Sequence, residues 1–291
     1  MAEVLWLLWQ TVLYRPYVFA FLAAFLVAAG VALGAARTAR FTATIWLTAF
    51  AAEYSSTRTG IPFGFYTYLE NTRDRELYVA NVPFMDSLSF TFLAFAAYAT
   101  AIVLRAPRAP GEAASRGPAT VALAAALLTL LDVVIDPIAL RGDRWFLGLI
   151  YAYPHEGFYF GVPAANFAGW FVVGLVGIGG HAAVEAVLAR RGTERPLGTG
   201  GLRLGVGLYY GVLAFNLAVT FAVGEWRLGA AGLAVTLVPT VALLVRVGRA
   251  ASGQPQGPLD RSLRESRYNA PHRSHAGRAS PEPPPSRPTE R

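Results

Sequence analysis

The chain contains no cysteine and no lysine, and its 291 residues include only four histidines and two methionines. Without cysteine there can be no disulfide, thiolate metal centre, iron–sulfur cluster or thiol nucleophile. Without lysine, no Schiff base to retinal or pyridoxal phosphate can form, and all 25 basic residues are arginine. Charge is scarce too, at 15% of residues against about 25% in soluble domains. The sequence has no HExxH, histidine-box pattern, P-loop, Gly-rich nucleotide fingerprint or G-x-S-x-G elbow. What these absences leave is acid–base chemistry without cofactor or metal.

What is present is apolar. Hydrophobic residues make up 54% of the chain and the mean hydropathy is +0.41. Seven stretches, at about 17–36, 40–58, 83–104, 118–138, 163–188, 202–223 and 228–247, are long enough to cross a hydrocarbon core of roughly 30 Å. The expected fold is an all-α polytopic membrane protein with about seven transmembrane helices, residues 17–247. The leading "VLWLLWQTVLY" is too short to span. It predicts an interfacial N-terminal helix over 1–16 that kinks at Arg15-Pro16. Residues 248–291 form a basic Pro/Arg-rich segment with little to bury, expected to be a disordered cytoplasmic tail. That tail makes the net charge of +7 no argument for a nucleic-acid partner. Arginines cluster in the loops at 37–40, 105–116 and 190–195, on the tail's side. The loops near 60–80 and 140–160 mix arginine with acid. The positive-inside rule then puts the N-terminus outside and the tail in the cytoplasm of a multi-pass cell-membrane protein.

Against this background four carboxylates stand out: Glu53, Asp86, Asp132 and Asp136. Each costs on the order of 2.5–3.5 kcal/mol at the centre of a membrane helix, so each needs a partner or a polar cavity. The bland alternative is pairing with Arg58, Arg141 or Arg144 at the interface. Asp132 and Asp136, four apart, share a helix face, and two close carboxyls share a proton. The segment "NVPFMD" before Asp86 echoes "GVPAAN" before Asn166. This reads either as a duplicated two-helix unit, of the kind that frames midplane sites, or as coincidence. Between the helices, "FGFYTY" and "GFYFG" are denser in aromatics than an interfacial belt requires. Such faces can line a slot for a long apolar ligand and stabilise a cation. Trp145 to Tyr151 reads as a re-entrant or interfacial segment.

Four blocks, "EYSSTRTGIPFGFYTYLE", "VANVPFMDSLSFTFLAFAAY", "DVVIDPIALRGDRWF" and "GFYFGVPAANFAGWFVVG", resemble carotenoid biosynthesis membrane proteins of the CruF type, over roughly residues 45–245. The resemblance implies a carotenoid hydratase. Such an enzyme adds water to the terminal isopropylidene double bond of an acyclic carotenoid end and leaves a tertiary alcohol. The substrates implied include a monocyclic carotene with one acyclic end and bisanhydrobacterioruberin. The resemblance assigns no catalytic residue. From the residues themselves, Asp132 and Asp136 are the expected acid–base centre, with Glu53 and Asp86 orienting water or relaying protons. Asn166 and Tyr66 give hydrogen-bonding support, and Phe63, Phe65, Tyr159 and Trp170 face the cation or the polyene. The partners expected are the carotenoid, the lipid bilayer and neighbouring carotenoid-pathway enzymes. Two rivals remain open: an intramembrane prenyltransferase using Asp132 and Asp136 on Mg²⁺-diphosphate, and a proton-coupled transporter.

Overall fold

A computed structural model describes residues 2–105, 115–190 and 196–251. All but the start of the expected tail lies outside the described residues. The helices are α1 (Ala2–Tyr14), α2 (Pro16–Leu33), α3 (Ala35–Thr59), α4 (Phe84–Arg105), α5 (Pro118–Ala139), α6 (Ala164–Ala189), α7 (Thr199–Ala222) and α8 (Trp226–Ala251). Six of them, α2 and α4 to α8, are long and apolar enough to cross a membrane, and the chain is an all-α, multi-pass membrane protein.

The seventh expected span, 40–58, falls within α3, which is helical but is not one of these six. It has 25 residues but carries Arg37, Arg40, Glu53 and Arg58 together with a series of Ser and Thr. Polar side chains therefore keep it below the hydropathy of its neighbours, although it packs directly on α4 and α6. Helix boundaries follow ordinary chemistry. Pro16 and Pro118 open α2 and α5, where a missing N–H costs nothing. Gly60 closes α3 in the left-handed region, its N–H bonded to the Ser56 carbonyl. The Arg15-Pro16 step separates α1 from α2 as expected, and α1 leaves Leu5, Trp6, Trp9 and Leu13 exposed.

Four helices form a ring: α3 packs on α4, α4 on α5, α5 on α6, and α6 back on α3. The helix–loop–helix units α3–α4 and α5–α6 hold equivalent places in it. α4 begins directly after Val82-Pro83, and α6 directly after Val162-Pro163. Asp86 and Asn166 are each the third residue of their helix. α2 and α7 cover the α4 flank. α8 meets α5 and α7 at Gly232, against Val134 and Leu217.

The two connecting loops pair with each other. Strand β1 (Thr67–Tyr68) runs antiparallel to β4 (Tyr151–Ala152), with Tyr68 opposite Tyr151. β2 (Tyr78–Val79) and β3 (Val82–Pro83) form a second short ladder. The segment from Trp145 to Tyr151 is not helical: it follows a 3₁₀ turn at Gly142–Arg144 and runs into β4. Arg15 ties this roof together. Its guanidinium donates to Glu76 Oε2 at 2.9 Å and Oε1 at 2.6 Å, and a further N–H goes to the Leu147 carbonyl. Both charged side chains are buried, at 0% and 1% exposure. Thr11 adds a bond from the other side, its hydroxyl oxygen accepting the Leu77 N–H at 2.8 Å.

Candidate active site

The four conspicuous carboxylates converge at the loop end of the ring, because α3 and α5 end there and α4 and α6 begin there. None of them pairs with an arginine among the described residues. Arg58 instead lies over the Tyr54 ring and donates to Asn81. Arg141 and Arg144 are taken by Glu225. Glu53 is 3% exposed and accepts a hydrogen bond from Ser87 of α4. Tyr68 donates to Asp86 Oδ2 at 2.6 Å. Asn166 Nδ2 donates to both aspartates of α5, to Asp132 Oδ2 at 2.9 Å and to Asp136 Oδ2 at 2.5 Å. One amide group thus holds the α5 carboxyls in register. Asp132 Oδ1 is buried with no hydrogen-bond partner among the described residues.

Two cavities meet here. A polar chamber of about 340 Å³ is lined by Glu53, Asp86, Asp136, Asn166 and the phenols of Tyr66, Tyr68, Tyr151 and Tyr153, with Phe63, Phe90 and Trp170 on one side. A larger apolar slot of about 710 Å³ runs between α2, α4, α5 and α7. Asp86, Asp136, Tyr151 and Trp170 line both. Phe90 and Trp170 stack with centroids 4.2 Å apart, and Phe63 leans on Trp170 at 6.3 Å.

The tyrosines belong to the roof loops, and they pack edge to face: Tyr66 on Tyr68, Tyr151 and Tyr153. Burial, reinforced by the nearby carboxylates, pushes all four phenols up from their ordinary range. They remain O–H donors at any physiological pH.

Most of the residues singled out in the sequence are gathered here, with three exceptions. Asp132 lines neither cavity and stands behind Asp136. Phe65 is 56% exposed and packs under Gly60, since "FYTY" alternates and its neighbours Tyr66 and Tyr68 take the inward positions. Tyr159 lines neither cavity and sits among Phe158, Phe160 and Phe167. Tyr68, Tyr151, Tyr153, Phe90 and Ser87 also belong to the site, although the sequence alone assigns none of them an individual role. The same alternation of "FYTY" would have found Tyr68, whereas Ser87 has no signal in the sequence.

Fold and site together define a multi-pass membrane protein whose buried carboxyls stand where an apolar slot meets a polar chamber. The chain belongs to the family described as carotenoid biosynthesis protein, whose profile matches residues 13–239. It is similar to the bisanhydrobacterioruberin hydratase of Haloarcula japonica, with 32% identity over 134 residues. That stretch is 45% of this chain and 40% of the relative's length. No solved structure matches the chain.

Proposed function

We propose that the protein is a carotenoid hydratase that adds water to the terminal isopropylidene bond of an acyclic carotenoid end. One observation carries this reading: Asp86 and Asp136 line both the apolar slot and the polar chamber. The slot suits a polyene. The chamber is too small for one and has the hydrogen-bonding groups to hold water.

In the proposed reaction the double bond reaches the junction from the slot. Asp136 gives its proton to the CH carbon, and the charge collects on the carbon bearing two methyls. The stacked faces of Phe90 and Trp170 oppose that tertiary cation through their quadrupoles. A water held by Glu53 and the tyrosine hydroxyls adds to the cationic carbon. It then loses a proton to the carboxylates, which restores the acid. The net change is one alkene plus one water to one tertiary alcohol, with no oxidation. Asp132 acts as a positioning residue through Asn166, sharing the pair's proton with Asp136.

The prenyltransferase reading is less well supported, since the space between the two aspartates is occupied by the N–H donors of Asn166, which repel a cation. We also infer that the loop end faces outward and the arginine-rich end the cytoplasm.

Pigment analysis tests the reading. Expressed in a host that accumulates acyclic and monocyclic carotenes, the protein should yield a pigment heavier by one water with its conjugated chromophore unchanged. Unaltered pigments from a well-expressing host, with bisanhydrobacterioruberin also untouched, would overturn it. Magnesium-dependent turnover of an isoprenyl diphosphate would favour the rival.

A further inference from the structure

The slot poses a question of access that rests on the hydratase reading. A long apolar molecule dissolved in the bilayer has to reach Asp136 without passing through the polar roof. That roof is latched by the Arg15–Glu76 pair and by the Leu147 carbonyl. The walls formed by α2 and α7 offer another route.

These two helices run antiparallel and are joined tightly at their arginine-rich end. The Gly198 N–H donates to the Ala32 carbonyl at 2.8 Å. A Cβ on Gly201 would stand 2.2 Å from the Ala32 nitrogen, so only glycine allows this approach. Next along α7, Gly205 sits on Phe95 and Ala99 of α4, and the Tyr209 hydroxyl donates to the Leu127 carbonyl of α5 at 3.0 Å.

Toward the loop end α2 and α7 meet through rings instead. Tyr17 stacks on Phe215 with centroids 5.5 Å apart, and Phe21 meets Phe215 edge-on at 5.6 Å. Phe146, 59% exposed, closes over both, 5.2 Å from Tyr17 and 6.2 Å from Phe215. Tyr17, Phe21 and Phe215 also line the slot from inside. All three are only half-buried, so they lie between the slot and the outer face of the α2–α7 seam.

Both helices are fixed beyond this layer as well: α2 by Arg15, and α7 by Glu225, which accepts from Arg141 Nε at 2.9 Å and from Arg144. With backbones held at both ends, opening falls to rotamer changes of these rings rather than to movement of the helices.

We propose that Tyr17, Phe21 and Phe215 form a lateral portal between α2 and α7. Through it an acyclic polyene slides from the bilayer into the slot, isopropylidene end first, until that end rests between Asp86 and Asp136.

The absence of cysteine makes the test direct. A double variant, Tyr17→Cys with Phe215→Cys, carries its only two thiols across the portal. It is reconstituted in phosphatidylcholine vesicles loaded with lycopene and bridged with a short thiol-specific crosslinker that a reductant cleaves. The portal predicts at least a ten-fold slower formation of hydrated product in the bridged sample than in the same sample after reduction. Equal rates, with bridging complete by intact mass, would overturn it.

A second measurement does not depend on turnover. Lycopene is achiral, and its circular dichroism on binding reports arrival in the slot. Phe215→Ala combined with Asp136→Asn should load faster than Asp136→Asn alone, and equal loading would also overturn the portal. Failure of the hydratase reading looks different: no product forms even after reduction, yet loading still follows the portal variants.

Discussion

Asp132 and Asp136 sit one helical turn apart and differ in what they touch, which gives each its own expected phenotype. Asp136 faces both cavities. Asp136→Asn should therefore lower turnover by about 10²–10⁴-fold, the usual contribution of a general acid, measured as hydrated pigment per folded protein in membranes. Asp132 touches only its partners. Asp132→Asn should keep measurable turnover and move the pH–rate profile of the reaction, because it alters how the pair holds its proton rather than removing the donor. A silent Asp136→Asn, or identical losses with unchanged profiles, would remove this division of labour. The carboxylates and Asn166 were legible in the sequence because a polar residue in an apolar run is conspicuous. Tyr151 and Tyr153 were not, since only the pairing of β1 with β4 brings a tyrosine from the second loop opposite one from the first. Tyr159 drew attention through a crowded aromatic run, but the run's own rings pack on one another and leave it outside both cavities.

At the level of elements, the roof depends on a buried ion pair that no local pattern announces. Arg15 and Glu76 are 61 residues apart, and neither stands in a recognisable motif. Removing one partner of such a pair leaves a buried charge uncompensated, at a cost of about 3–5 kcal/mol. Glu76→Leu should accordingly lower the thermal unfolding midpoint in detergent. Arg15→Met combined with Glu76→Leu should recover much of the loss, because two apolar side chains need no counter-ion. If the double variant were no more stable than the single, the pair would not act as a unit. The spans themselves were legible from hydropathy, and six emerge with suitable length and composition. α3 was counted with them on length. Its arginines and hydroxyls instead mark it as the polar member of the ring, with Glu53 buried near its loop end.

For the whole molecule, the uneven distribution of charge gives a prediction about sidedness. Arg37 and Arg40, with Glu185 bound between them, lie at the end of the bundle opposite the acidic loops. A single cysteine at Phe158, 77% exposed in the second loop, should react in intact cells with a maleimide that cannot cross membranes. A cysteine at Arg190 should react only after the cells are opened, and the reverse pattern would invert the orientation. Sidedness also bears on where the product starts out. Asp136 lies three residues from the end of α5, within about 5 Å of the helix terminus at 1.5 Å per residue. On the proposed reaction, an alcohol formed there would be born near one end of the membrane-spanning bundle. If the loop end faces outward as proposed, the product would leave as an amphiphile already standing upright, its new hydroxyl toward the outer surface and its polyene reaching down into the leaflet.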